Sequence, residues 1–166
     1  MSHAKNKVKW CLRKAERELT EGKKHRGLVE IKPSLEVAKE HIRKSEHNLK
    51  TTLYLQKGGI TDWCSSTLFY AIYHCFLAIL AKFGYESRNQ ECTFSLISSL
   101  IEDGKITITN EELEKVSDLD QDEIPTMVDI REQFQYTTDL SLSDSTLQEM
   151  LDLAKGILHK TKLMLE

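Results

Sequence analysis

The sequence predicts an all-α fold, an antiparallel up-and-down helical bundle of four to five core helices with a further helix at the N-terminus. Three observations lead there. Residues 65–80 are apolar on nearly every side, the signature of a helix touched by neighbours all round. Apolar residues recur at helical spacing in several further stretches, each reading as a one-faced helix. No stretch offers a set of alternating strands, an internal repeat or low complexity, so a bundle with short connections follows.

The elements follow in order. Val8, Cys11/Leu12, Ala15 and Leu19 make a helical stripe that predicts a short amphipathic helix over residues 4–21, and Gly22 to Pro33 reads as a connector. Pro33-Ser34 supplies a helix start, and Leu35, Ala38, Ile42, Leu49 and Leu53 carry a long one-faced helix to Gly58-Gly59. Thr61-Asp62 is expected to cap the central helix, which stops at Gly84, since a left-handed residue commonly ends a helix. A polar link from Glu86 to Gln90 leads into the stripe Phe94, Ile97, Leu100 and Ile101, which ends at Asp103-Gly104. Ile106 to Ile108 alternates like a strand but is too short to form a sheet alone, so it reads as an extended link.

Thr109 and Glu112 have the spacing of a capping box, in which each side chain serves the other residue's free N–H, predicting a helix over 110–118. Asp118 to Glu123 is an acidic break. Pro125 is expected in the first turn of the next helix, where its missing N–H costs no hydrogen bond. That helix carries Met127, Val128, Arg131 and Phe134 and ends near Thr137-Thr138. The last helix starts around Ser143 to Ser145 and places Leu147, Met150/Leu151, Ala154, Ile157/Leu158 and Leu165 on one face.

A chain of 166 residues buries about two thirds of the surface its unfolded form exposes, so neither a disulfide nor a cofactor is needed to hold it. The sequence divides into a basic N-terminal helix and connector, 1–33, and a bundle, 34–166. The net charge of -3 hides an asymmetry: residues 1–50 hold 14 Lys/Arg against 7 Asp/Glu, and residues 51–166 hold 9 against 19. The two ends should attract different partners.

Lys5, Lys7, Lys9, Arg13 and Lys14 break up any signal-peptide core, and the central apolar run falls short of a bilayer span, interrupted by His74 and closed by Lys82. A cytoplasmic location without membrane attachment is therefore expected. Cys11, Cys64, Cys75 and Cys92 form no CxxC pair and the histidines no HxxxH, so no metal site is expected, and Cys64 and Cys75 read as core-filling thiols. Phosphate-loop, dinucleotide and nucleophile-elbow motifs are absent from the sequence.

Ser66-x-x-Phe69-Tyr70-Ala71-Ile72-Tyr73-His74 with Ala78, Leu80 and Gly84, after a long one-faced helix and a Gly-rich turn, resembles the HEPN domain. Asp129-Ile130-Arg131-Glu132-Gln133-Phe134-Gln135-Tyr136 is similar to that family's Arg-bearing helix, and the likeness spans about residues 35–165. It implies a homodimeric bundle with a polar groove where the Arg-bearing helices meet. Catalytic members are metal-independent endoribonucleases, often toxins whose antitoxin is a small nucleotidyltransferase. Their signature is an Arg followed after four to six residues by a His. Arg131 matches the Arg, Tyr136 stands where the His would be, and residues 137 and 138 are both Thr.

Metal-free RNA cleavage needs a base for the 2′-OH proton and a cation for the charged phosphorane. Histidine is half-available near neutrality, whereas tyrosine, with a reference pKa of about 10, is only about a thousandth ionised. His74 fills the vacancy if its helix packs beside that of Arg131; the plainer reading is a core histidine with a hydrogen-bonded ring. Arg131 reads either as a surface arginine paired with Asp129 or Glu132, or as a fork holding a phosphate while Tyr136 stacks on a base. Tyr70 and Tyr73 divide between the core and the rim of the groove. The basic leader reads as an RNA-recruiting segment or as a helix docked on the bundle or on the acidic stretch 111–129.

These readings converge on a protein that binds RNA or a nucleotide through Arg131, Tyr136, Tyr73 and Tyr70, with no cofactor, as a homodimer working with a nucleotidyltransferase-type partner in a toxin–antitoxin-like system. An endoribonuclease toxin using Arg131 and His74 is the alternative, and a non-catalytic protein-interaction module the second alternative.

Overall fold

The computed structural model describes residues 1–117, 119 and 124–166. The acidic break expected over 118–123 lies, but for Leu119, outside them. Among the described residues are seven helices, α1 (His3–Thr20), α2 (Leu35–Lys57), α3 (Cys64–Phe83), α4 (Gln90–Glu102), α5 (Asn110–Val116), α6 (Met127–Tyr136) and α7 (Asp144–Met164), and two short strands, β1 (Leu28–Glu30) and β2 (Tyr85–Ser87). The fold is all-α.

α3 is the axis of the bundle, with α2, α4, α6 and α7 packed around it. Its Leu68, Phe69, Ile72, Cys75, Phe76 and Ile79 are buried, as expected of a helix apolar on every side. At 20 residues it is long enough to cross a bilayer by length and composition, contrary to the sequence estimate. Enclosure by neighbouring helices, rather than shortness, makes it a core element. It ends where expected, at Gly84, whose φ of 85° is left-handed and where a Cβ would come within 2.9 Å of the Ile31 carbonyl.

Helix ends follow local chemistry in most cases. Ser34 accepts from the Val37 N–H, Asn89 from Cys92 and Ser143 from Thr146, each starting its helix. Thr109 and Glu112 form the expected capping box, and Thr126 and Asp129 form a second. Two expectations need correction. Pro125 precedes the Thr126 cap and lies outside α6, because Thr126 offers the better side chain for the free N–H groups. Thr61-Asp62 does not cap α3, which begins after Trp63 with no side-chain cap. The Thr61 hydroxyl instead accepts from the Leu142 N–H at 3.0 Å, tying the α2–α3 turn to the segment before α7.

The connectors also differ from expectation. Residues 28–30 and 85–87, read as loop and polar link, pair as an antiparallel ribbon with Leu28 opposite Ser87 and Glu30 opposite Tyr85, whereas Ile106 to Ile108 stays irregular. Three-residue strands carry too little periodicity to be seen in sequence. The ribbon brings Gly27 against α1, where a Cβ would lie 2.5 Å from the Cys11 carbonyl, so only glycine permits that approach.

α1 docks on α4 and β1. Ala4, Cys11 and Ala15 are buried in the contact, and Cys11 and Cys92 are joined by a disulfide across 81 residues. The spacing of the four cysteines carries no signal for this bond, so its presence corrects the expectation of a fold held without a disulfide. It arises because two small buried residues on facing helices come within 5.9 Å Cα to Cα. Cys64 and Cys75 are buried free thiols.

Candidate nucleic-acid site around Arg131

α6 lies along α3 and presents Arg131 to it. The guanidinium carbon is 4.2 Å from the centre of the Phe69 ring and 5.7 Å from that of Tyr70. Such contacts are favourable because the ring face is electron-rich, more so where water is displaced. The Arg131 side chain is only 12 % exposed. Of the surface-arginine reading, the exposure is therefore overturned, while the expected pairing with Glu132 is present at 3.8 Å.

Its polar partners are sparse for so buried a cation. One terminal nitrogen donates to the Gln90 side-chain oxygen at a long 3.4 Å, and the buried Nε has no hydrogen-bond partner among the described residues. Five donors in a fork are thus met, among the described residues, by one weak acceptor and one distant carboxylate. An under-satisfied, largely enclosed guanidinium favours any strong acceptor, and phosphate or carboxylate oxygens fit two-pronged contacts best.

Phe69 organises the aromatic floor. Tyr70 meets it edge-on at 5.3 Å between centroids, Tyr73 stacks on it at 5.8 Å, and Phe94 meets it edge-on at 6.5 Å. Tyr70 remains 45 % exposed and forms the open edge of the cluster. Tyr73 is half-buried, and its hydroxyl pairs with Thr93 Oγ1 at 3.1 Å, which donates in turn to Ser87 Oγ at 2.8 Å. Burial pushes the Tyr73 phenol up, so it serves as a hydrogen-bonding group and not as a base.

The remaining sequence candidates lie elsewhere. His74 sits one residue past Tyr73 and so turns away from Phe69, facing α2, where its Nδ1 is 3.0 Å from Nδ1 of His41. Burial, with the charges of His41 and Lys44, pushes His74 down to about 4. Tyr136 is 77 % exposed at the end of α6, and none of the aromatic contacts around Arg131 includes it. The structure thus brings Arg131, Tyr70 and Tyr73 together around Phe69 and leaves His74 and Tyr136 apart. Phe69 and Gln90 were missed by sequence reasoning. Phe69 lies within the aromatic run, but its apolarity marks it only as core, and Gln90 carries no signal beyond its place after the Asn89 cap.

A family model, the HEPN domain, matches residues 38–164. The chain belongs to the HEPN domain family. This HEPN match contains Arg131, Phe69, Tyr70, Tyr73 and Gln90, so the whole cluster falls inside it, and it makes the protein a nucleotide- or RNA-related module. Helix α1 and strand β1 lie before the HEPN match. No curated protein matches the chain. Among the described residues, no group of three or more His, Cys, Asp or Glu is placed to hold a metal ion in this HEPN protein.

Proposed function

We propose that this HEPN protein binds RNA or a nucleotide at Arg131, with the guanidinium taking a phosphate and Tyr70 offering its exposed ring to a base. The carrying observation is the Arg131 side chain, nearly enclosed against Phe69 yet met, among the described residues, only by Gln90 at 3.4 Å and Glu132 at 3.8 Å. A phosphate oxygen at charge-assisted distance would be its strongest partner. The tyrosine's two-sided character, an apolar ring with a polar tip, suits the edge of such a site.

Binding without cleavage is the better-supported activity. Among the described residues, the groups meeting the guanidinium are Phe69, Tyr70, Gln90 and Glu132. No histidine is among them, and His74 is engaged with His41. The resemblance to the HEPN domain, whose catalytic members are often paired with a small nucleotidyltransferase, is the ground for proposing a homodimer acting with such a partner, which light scattering and co-purification would examine.

Titration of labelled single-stranded RNA and of ATP against the wild type and Arg131→Ala tests the site. A lost charged hydrogen bond corresponds to about 1.5–3 kcal/mol, so affinity should fall about 10- to 100-fold. Equal affinities, or no binding by the wild type, would remove the assignment. Incubation of RNA without metal separates the endoribonuclease alternative, which requires cleavage that Arg131→Ala abolishes.

A further inference from the structure

A polar hollow of about 420 Å³ opens between the first turns of α1 and α4, lined by His3 and Lys7 from α1 and by Asn89, Gln90, Glu91 and Ser95 from the α4 end. Gln90 is also the partner of Arg131. The hollow therefore shares Gln90 with the Arg131 cluster, without Arg131 itself in its lining, and reaches the base of α1, a helix outside the family match. Lys7 stands at that junction, paired with Glu91 at 2.7 Å and with its ammonium 4.2 Å from the centre of the Trp10 ring.

Beyond the junction, α1 buries Ala4, Cys11 and Ala15 against the bundle and turns Lys9, Trp10, Arg13 and Arg17 outward. Lys9, Arg13 and Arg17 are four residues apart, hence stacked along one helix face at intervals of about 6 Å. None of the three forms an ion pair among the described residues, whereas Lys5, Lys7 and Lys14 do. Glu18 is occupied by Lys14 and the Arg26 N–H, leaving Glu16 as the acidic group on the outer side. Trp10 is 48 % exposed, with Lys7 and Lys14 both near its ring.

We propose that this outer face of α1 is a track for the backbone of single-stranded RNA whose neighbouring nucleotide occupies the Arg131 site. The inference rests on the reading of Arg131 as an RNA site. The cation row extends about 12 Å at the helical rise, longer than the phosphates of one mononucleotide reach, so a strand and not a free nucleotide fits it. A solvent-facing aromatic among cations is the arrangement by which sequence-tolerant proteins hold single strands, with bases stacked and phosphates neutralised. The junction at Lys7 and Gln90 gives the strand a polar passage between the two parts.

Anisotropy titration of a fluorescein-labelled 12-nucleotide single-stranded RNA over a range of salt concentrations tests this with the full chain. The triple variant Lys9→Ser/Arg13→Ser/Arg17→Ser should bind about 10- to 100-fold more weakly at 0.1 M salt, with the slope of log affinity against log salt shallower by about 2. Trp10→Leu should cost about tenfold through lost stacking. Unchanged melting curves will show that these exposed changes leave the fold intact. Wild-type affinity and slope in the triple variant would overturn the track. In that case, weakened binding by Arg131→Ala would leave the Arg131 site standing alone. Weak binding by the triple variant with wild-type affinity in Arg131→Ala would support the track and remove the Arg131 site. Absence of RNA binding by the wild type overturns both. Salt-sensitive self-association lost in the triple variant, with RNA affinity unchanged, would assign the cations to a protein surface and overturn the proposal.

Discussion

The Arg131 guanidinium lies 4.2 Å from the centre of the Phe69 ring, which makes a fully buried aromatic of the central helix the seat of the candidate ligand-binding cation. Phe69→Leu keeps most of the apolar volume and removes the ring face. A stability loss of about 1–2 kcal/mol is expected from imperfect repacking. RNA affinity should fall further than that of a control such as Phe76→Leu, which lies away from Arg131. Urea denaturation alongside anisotropy titration measures both; equal binding losses in the two variants would show that Phe69 does not position the cation.

The His41–His74 pair predicts a pH dependence of stability. Both rings are held below their usual value by burial, His74 to about 4 with His41 and Lys44 adding to the effect. A depressed histidine binds fewer protons folded than unfolded. Stability is therefore complete above about pH 6.5 and declines as pH falls towards 4. The pair is half-exposed, so the loss should be about 1–2 kcal/mol once solvent screening is allowed for. Chemical denaturation between pH 7 and 5, above the range where Glu86, Asp103 and Glu112 protonate, should show the decline in the wild type and a flatter profile in His74→Gln.

The Cys11–Cys92 bond closes a separation of 81 residues and holds α1 on the bundle. Removing a bridge of this kind typically costs about 2–4 kcal/mol by loosening constraints on the unfolded chain. Cys11→Ala should therefore lower Tm by about 5–15 °C in a chain of this size. Calorimetry checks this, and the variant should also weaken RNA binding if α1 carries part of the strand. An unchanged Tm would show that packing of Ala4 and Ala15 holds the helix without the bond.

Cys64 and Cys75 should be silent towards thiol reagents in the native protein. Burial pushes the Cys75 thiol up to about 12 and that of Cys64 up as well, and the reactive species is the thiolate. Ellman's reagent is expected to find no thiol in the native protein and both after unfolding without reductant. Rapid native labelling would contradict the packing around α3.

The Thr126–Asp129 capping box starts the helix that carries Arg131, with Thr126 Oγ1 accepting from the Asp129 N–H at 3.3 Å. Thr126→Ala should cost about 1 kcal/mol. Urea denaturation measures that cost, and RNA titration should show a modest affinity loss as the first turn of α6 frays. A variant as stable as the wild type would show that packing alone holds this end.

Much of the fold was legible because its signals are local. The Ser34 start of α2, the Thr109–Glu112 box and the stop at Gly84 each lie within a few residues of what they determine, whereas Leu35 and Leu53, expected on the packed stripe of α2, are 49 % and 41 % exposed. The errors fall where a local signal had a distant competitor. Thr61 was expected to cap α3, but its hydroxyl meets the Leu142 N–H, 81 residues on.

By itself the sequence determined the helical class, the central position of α3, most helix limits and the likeness that points to Arg131, because periodicity and capping operate over one or two turns. Tertiary structure alone decided that Phe69 and Gln90 would receive Arg131, that His74 would turn to His41, and that Cys11 would meet Cys92. Each of these pairings joins residues on different helices, and the relative rotation of two helices is set by how their whole surfaces pack, a quantity that no short stretch of sequence contains.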